Sequence, residues 1–272
     1  MLAIAKPMRT VTGLSNPTVK YLRSLREKKH RRREGVFLAE GLRLLTDARE
    51  SGRVPQMLAM AEGRDHHPLL DALIAAVEAE GGDVIEMSEA ALSKISGKDN
   101  PQAVCGVFGE FDTSVERLER SASPIFLVAQ ALRDPGNLGT MLRTADAVGA
   151  GGLVLIDDCA DPFSVEAVRA SMGAIFTVPL AQARWDEFAS WLHGGEGQLV
   201  AASLRDAVDY RGAPYAAPCF LMVGNESRGL PEEYEMACDL RVTIPMLGRA
   251  DSLNAAVAGA VLAYEALAAL RP

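Results

Sequence analysis

The sequence lacks paired cysteines, clustered metal ligands and any long uninterrupted apolar run. Its four cysteines are far apart, and only two of its four histidines, His66 and His67, are adjacent. Disulfide frameworks and zinc sites need closer spacings. We therefore predict that the protein holds no metal and works in a reducing, cytoplasmic compartment. The most apolar stretch, residues 253–270, is mostly alanine and is interrupted by Tyr264 and Glu265, so it is a poor membrane span.

Two common nucleotide-binding motifs are also missing. No GxxxxGK[ST] motif occurs, which argues against a P-loop NTPase. Glycines cluster at residues 149–152, but they follow a predicted helix and precede a predicted strand. That order is the reverse of a dinucleotide-binding fingerprint, so a dehydrogenase is disfavoured. No basic leader followed by an apolar run opens the chain, and we expect no secretory signal.

The charge of the 272-residue chain is −8 overall but unevenly distributed. The first 53 residues contain thirteen Lys and Arg against five Asp and Glu, which leaves the remainder strongly acidic. This asymmetry indicates a basic N-terminal module that contacts a polyanion; a solvated helix face is the plainer alternative. The basic residues selected as candidate contacts are Lys20, Arg23, Lys28, Lys29, Arg31, Arg32 and Arg33.

The N-terminal half alternates helices and short strands, which predicts a small α/β domain over residues 1–111. Its first element is expected to be a single helix from Asn16 to about Glu34, because Asn16 can cap it and Pro17 suits a first turn. Residues 112–124 are polar and charged, and we predict that they form a linker.

Residues 125–272 alternate again and are predicted to form a second α/β domain. Short apolar strands with polar ends indicate a mostly parallel sheet covered on both faces. The predicted strands comprise residues 125–128, 153–156, 176–178, 198–203, 220–223 and 241–244.

Three polar clusters follow predicted strands in this half. In residues 134–145, Asn137 can cap a helix and Arg143 could grip a phosphate. In residues 224–229, a glycine directly after a strand lets a ligand approach the backbone. In residues 248–254, Ser252 can cap the helix that follows. Taken singly, each cluster is equally well explained as a turn or a capping motif.

Together and in this order, the clusters resemble the signature motifs of the SpoU (TrmH) family of RNA ribose 2'-O-methyltransferases, within the SPOUT superfamily. The resemblance covers about residues 123–270, and residues 163–174 also resemble the family's middle segment. The N-terminal half resembles the family's substrate-binding domain, whose fold is like that of small RNA-binding ribosomal proteins. Residues 37–41, Phe-Leu-Ala-Glu-Gly, are its most recognisable part.

The resemblance implies methyl transfer from S-adenosylmethionine to a ribose 2'-hydroxyl, in a homodimer whose C-terminal sheet is threaded as a trefoil knot. The extra N-terminal domain favours 23S-type ribosomal RNA as substrate, and the basic residues above would bind it. Alternatives are a transfer-RNA ribose methyltransferase and a non-catalytic RNA-binding protein that keeps the fold. The implied catalytic residues are Asn137, Arg143, Glu226 and Asn254. The implied cofactor-binding residues are Ser203, Leu204, Gly224, Ile244, Met246, Ser252 and Leu253.

The identity of the general base stays open at this point. The ribose hydroxyl should lose its proton during attack. Arg143 is the family's usual candidate, but a guanidinium with a pKa above about 12 is a costly base at neutral pH. We favour Arg143 as the group that holds the adjacent phosphate and stabilises the developing alkoxide. Glu226 is the only carboxylate in the set that could accept the proton.

Overall fold

The computed structural model describes residues 9–63, 66–225 and 227–271, which form two units. The first unit comprises the chain up to Phe111 together with residues 163–169, and the second comprises residues 112–162 and the chain from residue 170 onward. Residues 112–124, expected to be a linker, lie within the second unit because Val115 and Leu118 are buried in its core. The return of residues 163–169 to the first unit was not predicted.

The first unit contains a five-stranded mixed sheet in the order β1-β4-β3-β5-β2. β4 pairs in parallel with β1 and β3, whereas β5 pairs antiparallel with β3 and β2. The strands are β1 (Arg9–Val11), β2 (Val36–Glu40), β3 (Met57–Ala61), β4 (Asp83–Met87) and β5 (Val104–Gly109). The helices are α1 (Pro17–Ser24), α2 (Lys28–Glu34), α3 (Leu42–Glu50), α4 (Pro68–Ala79) and α5 (Glu89–Ser96).

The single helix predicted from Asn16 to Glu34 is wrong, because the chain breaks between α1 and α2. Asn16 does cap α1, its side chain accepting a hydrogen bond from the Thr18 amide. The break is stabilised by Arg31, whose guanidinium donates to the carbonyl oxygens of Leu25 and Arg26, each at 2.8 Å. These carbonyls would otherwise lose partners where α1 ends.

The second unit contains a seven-stranded sheet in the order β10-β12-β9-β11-β6-β7-β8, with every pair parallel among the described residues. The strands are β6 (Ile125–Gln130), β7 (Leu153–Ile156), β8 (Leu180–Ala183), β9 (Gln198–Ala202), β10 (Val208–Asp209), β11 (Cys219–Val223) and β12 (Leu240–Thr243). The remaining helices are α6 (Pro135–Val148), α7 (Val165–Ala170), α8 (Ala174–Thr177), α9 (Trp185–His193), α10 (Glu232–Met236) and α11 (Ala255–Leu270).

The mostly parallel sheet was predicted correctly, but one strand was misplaced and the short edge strand β10 was not predicted. Residues 176–178 were expected to be a strand, but Phe176 and Thr177 end the short helix α8. The strand at this edge of the sheet is β8, which begins four residues after Phe176 and pairs with β7. An apolar run of three residues does not distinguish a buried helical turn from a strand.

The central strands of this sheet are apolar except at their ends, where β6 has Gln130 and β9 has Gln198, because both faces are covered. Every residue of β6 and β11 is buried, and the rings of Phe126 and Phe220 stack at 4.7 Å. Gly151 has to lack a side chain, since a Cβ there would lie 2.3 Å from the Phe126 ring. The carboxyl ends of β9, β11 and β12 are adjacent, and this is where parallel α/β sheets bind ligands.

Two further features concern the chain as a whole. Within the described residues, no helix is both long and apolar enough to cross a membrane. The threading of the C-terminal segment as a trefoil knot stays a prediction.

Candidate active site

The first polar cluster forms the start of α6. Asp134 caps this helix, its carboxylate accepting a hydrogen bond from the Asn137 amide at 2.7 Å, and Pro135 occupies the first turn. Asn137 was predicted to be the cap, and that prediction is wrong. Asn137 lies in the first turn of α6, and its side chain contacts a distant residue.

That contact joins the first cluster to the third. The Asn254 side-chain amide donates to Oδ1 of Asn137 at 2.9 Å, although the two residues are 117 positions apart. Asn254 also caps α11, its Oδ1 accepting from the amides of Ala256 (3.0 Å) and Val257 (3.3 Å). Ser252, the predicted cap, is exposed and lies two residues before it. One asparagine therefore orders a helix end and fixes the amide plane of Asn137.

Arg143 lies farther along α6 and is exposed to solvent. Between Asn137 and Arg143, the helix packs against residues 170–171 at Gly139. A Cβ at Gly139 would lie 2.4 Å from the Cβ of Ala170, so only glycine permits this approach. The position of α6, and hence of Arg143, depends on that close packing.

The second cluster is a tight loop after β11. Asn225 orders it: Oδ1 accepts from the amides of Ser227 (3.0 Å) and Arg228 (3.3 Å), and Nδ2 donates to the Ala131 carbonyl at 3.1 Å. The loop folds back so closely that a Cβ on Gly224 would lie 2.5 Å from the Gly229 carbonyl carbon. Gly224 is thus required by the loop itself. Glu226, the predicted catalytic carboxylate, lies outside the described residues.

A cavity of about 490 Å³ opens beside these loops, at the carboxyl ends of β9, β11 and β12. This volume is in the range of small-molecule and cofactor sites. All seven residues predicted to bind the cofactor line the cavity, namely Ser203, Leu204, Gly224, Ile244, Met246, Ser252 and Leu253. Within the described part of the chain, the lining includes none of Asn137, Arg143 and Asn254. The three described catalytic candidates are therefore outside the lining, although Asn254 directly follows Leu253, which lines the cavity.

The cavity wall also contains polar residues that were not singled out from the sequence. Glu235, on α10, is buried and accepts a hydrogen bond from the Ser203 hydroxyl at 2.7 Å. Arg205 lines the cavity next to it and pairs with the exposed Glu232, whose hydrogen bond and charge raise the pKa of the Arg205 guanidinium. The run of acidic residues in α10 was the available signal, but a solvated helix explains such a run equally well.

The model of the family described as SpoU rRNA Methylase matches residues 124–264, which is more than half of the chain. The chain belongs to the SpoU family.

Similar proteins cover most of the chain. The 23S rRNA (guanosine(2553)-2'-O)-methyltransferase RlmP of Bacillus subtilis is 32% identical, over 94% of this chain and 98% of its own length. The 23S rRNA (uridine(2479)-2'-O)-methyltransferase of Streptomyces viridochromogenes is 29% identical, over 89% of this chain and 86% of its own length. The crystal structure of an AdoMet-bound rRNA methyltransferase from Sinorhizobium meliloti is 39% identical, covers 97% of this chain and 99% of its own, and has a TM-score of 0.90.

The first unit matches a separate model, the MRM3-like substrate binding domain, over residues 16–106. Most of its predicted RNA contacts are accessible: Lys20, Arg23, Lys28, Lys29, Arg32 and Arg33 are exposed on α1 and α2. Two of them have acidic neighbours, since Lys29 lies 3.2 Å from Glu27 and Arg33 lies 2.8 Å from Glu34. Exposed pairs of this kind are weak and leave the cations available.

Arg31 is the exception, and its prediction as an RNA contact is wrong. Its side chain is only 2% exposed because it reaches back to the end of α1, as described above. A buried guanidinium bonded to backbone carbonyls cannot contact a phosphate without breaking the turn. Arg31 is a structural residue within a basic run whose other members face solvent.

Proposed function

We propose that the protein transfers a methyl group from S-adenosylmethionine to a ribose 2'-hydroxyl of 23S-type ribosomal RNA. The observation that carries the proposal is the bond between Asn137 and Asn254, which joins the first and third motifs of a SpoU methylase next to the cavity. The relatives described above are named as 23S rRNA 2'-O-methyltransferases, and the chain covers nearly all of their length. A 23S rRNA 2'-O-methyltransferase activity fits both observations.

The cavity suits S-adenosylmethionine in size and in chemistry. Leu204, Ile244 and Leu253 offer apolar surface for a purine ring, whereas charged side chains and backbone groups at the strand ends suit a ribose and a zwitterionic amino acid. When bound, the cofactor would supply a methyl group on a sulfonium, whose sulfur keeps the electron pair of the C–S bond when the methyl group is transferred. The chain's own contribution is to hold both partners for an in-line displacement, since positioning supplies much of the rate.

Arg143 and the asparagine pair act on the RNA side of the reaction. The exposed guanidinium of Arg143 holds a backbone phosphate and stabilises the negative charge that develops on the ribose oxygen. Asn137, with its amide plane fixed by Asn254, orients the ribose. Glu226 is proposed to accept the hydroxyl proton, since it is the only carboxylate among the predicted catalytic residues.

We also propose that the enzyme is a homodimer that works in the cytoplasm. Val257 and Tyr264 are seven residues apart on α11, so they share one helix face, and both are exposed apolar residues. Light scattering of the wild type should give twice the chain mass, and Tyr264→Glu should shift it toward the monomer. A wild-type monomer would contradict the dimer. The four cysteines are all free, which suits a reducing compartment.

The substrate class is tested by methylation of purified RNA. We expect the enzyme to methylate protein-free 23S rRNA or large ribosomal subunits from a strain that lacks it, and total transfer RNA to remain unmodified. Mapping of 2'-O-methyl groups by resistance to alkaline hydrolysis would identify the nucleotide. Methylation of transfer RNA with ribosomal RNA untouched would overturn the proposal.

A further inference from the structure

One buried carboxylate lines the cavity and lies outside the three motif clusters. Glu235 is 8% exposed and sits on α10, between the second and third clusters. Asp251 is the other described acidic residue of the lining, but it is exposed. A buried carboxylate is costly unless its charge and its hydrogen-bonding capacity are used. Glu235 therefore needs a physical reason to be there.

Protein groups compensate its charge in part and use only part of its hydrogen-bonding capacity. Oε1 accepts from the Ser203 hydroxyl. Arg205 Nε lies 3.8 Å from Oε2, which is too far for a hydrogen bond, and this guanidinium also pairs with Glu232. A carboxylate can accept about four hydrogen bonds, and within the described residues the structure gives Glu235 one. Glu235 can therefore accept further hydrogen bonds from a ligand.

Ser203 keeps this carboxylate directed at the cavity. The Ser203 hydroxyl donates to Glu235 and accepts from the Arg205 amide at 3.0 Å, and the Ser203 amide donates to the Val242 carbonyl at 3.0 Å. The hydroxyl is thus held from two sides at the end of β9 and has no second proton to offer a ligand. Of these two side chains, Glu235 has the greater remaining capacity to accept a hydrogen bond from the ligand.

We propose that Glu235 accepts a hydrogen bond from a ribose hydroxyl of the cofactor's adenosine moiety. This inference rests on the proposed function. A carboxylate is the group that reads a ribose hydroxyl in dinucleotide sites for the same reason: it accepts from the hydroxyl and cannot donate. The cofactor's ammonium is strongly hydrated and is better served by the exposed Asp251, whereas Glu235 is buried and already has Arg205 within 3.8 Å. A neutral donor suits the buried carboxylate.

Calorimetric titration of the full-length protein tests this with two ligands. S-adenosylhomocysteine carries the amino acid, whereas 5'-methylthioadenosine keeps the adenosine and lacks it. Glu235→Gln should weaken both about tenfold, because a hydrogen bond to a charged group is replaced by a weaker one. Glu232→Gln is the matched control, because Glu232 lies on the same helix as Glu235 and also pairs with Arg205 but is outside the cavity lining. It should leave both affinities unchanged.

Ligands that lack a hydroxyl show whether the contact is direct. One of the two deoxy forms of 5'-methylthioadenosine, 2'-deoxy or 3'-deoxy, lacks the hydroxyl that contacts Glu235. This form should bind wild type about tenfold more weakly than the parent ligand does. That same form should bind wild type and Glu235→Gln equally. Melting of the ligand-free proteins reports separately on folding.

Three results would count against the proposal in different ways. If Glu235→Gln binds both ligands with wild-type affinity, or loses affinity only for S-adenosylhomocysteine, the assignment of the ribose contact is wrong and the proposed function stands. Both deoxy forms could instead lose as much affinity as the parent ligand when wild type is replaced by Glu235→Gln. In that case Glu235 affects binding only indirectly, through the cavity wall. If wild type binds no S-adenosylhomocysteine, the proposed function fails together with this inference.

Discussion

The two roles of Asn254 can be separated by a pair of substitutions. Its Oδ1 caps α11 and its Nδ2 holds Asn137. Asn254→Asp keeps the capping oxygen, since Asp and Asn are similarly good caps, and the added negative charge is favourable at a helix N-terminus. It removes the donor to Asn137, which must then lose the bond or turn its amide over. Asn254→Ala removes both functions.

The two substitutions should differ in their effect on stability but should lower the methylation rate similarly. Asn254→Ala should lower the free energy of unfolding by about 0.5–2 kcal/mol through loss of the cap and by about 0.5–1.5 kcal/mol through loss of the hydrogen bond to Asn137. Each kcal/mol lowers the melting temperature by about 2–4 °C in a domain of this size. Asn254→Asp keeps the cap and should cost only the hydrogen bond to Asn137, about 0.5–1.5 kcal/mol, which lowers the melting temperature by about 1–6 °C. Both should reduce kcat/KM for methylation by roughly 10- to 100-fold, the cost of misplacing a reacting group.

Thermal melting and single-turnover methylation of ribosomal RNA measure the two quantities on the same samples. The informative variant is Asn254→Asp, which should remain folded and lose activity. If it methylates at the wild-type rate, the bond to Asn137 only supports the fold. The first and third motifs would then not form one catalytic unit.

Four other substitutions test separate parts of the structure. Arg143→Ala should abolish methylation with cofactor binding little changed, because Arg143 is not among the residues lining the cavity; unchanged turnover would refute its role. Arg31→Ala should lower the melting temperature, since two backbone carbonyls at the end of α1 lose a charged donor worth about 1.5–3 kcal/mol. Arg32→Ala, at an exposed neighbour, should weaken RNA binding in a filter assay without affecting melting, and the reverse pattern would contradict both assignments. Gly139→Ala forces a methyl group into contact with residue 170 and should destabilise the second unit by about 1–3 kcal/mol; unaltered melting would show that α6 can shift.

The α/β architecture and the three clusters were predictable because both are local patterns. Apolar strands with polar ends, repeated along residues 125–272, predict a covered parallel sheet and place polar residues at its edge. The helix caps were less predictable. Asp134 and Asn137, like Ser252 and Asn254, are all good capping residue types, and only the backbone path decides which of each pair performs the task.

Arg31 and Glu235 could not be assigned from the sequence, because their roles depend on residues they meet in three dimensions. Arg31 is one member of a basic run, and the sequence contains no sign that it alone turns inward. Glu235 lies in a five-residue helix that is too short to show periodicity. It becomes informative only once β9 and α10 form one wall of the cavity.

The chemical position of the transferred methyl group tests the central claim most directly. Ribosomal RNA from a strain lacking the enzyme would be incubated with the protein and methyl-tritiated S-adenosylmethionine, then digested completely to nucleosides. We predict that the label elutes as a single 2'-O-methylnucleoside and that Arg143→Ala transfers none. Label in a base-methylated nucleoside, or no transfer by a wild-type protein that binds the cofactor, would contradict the account.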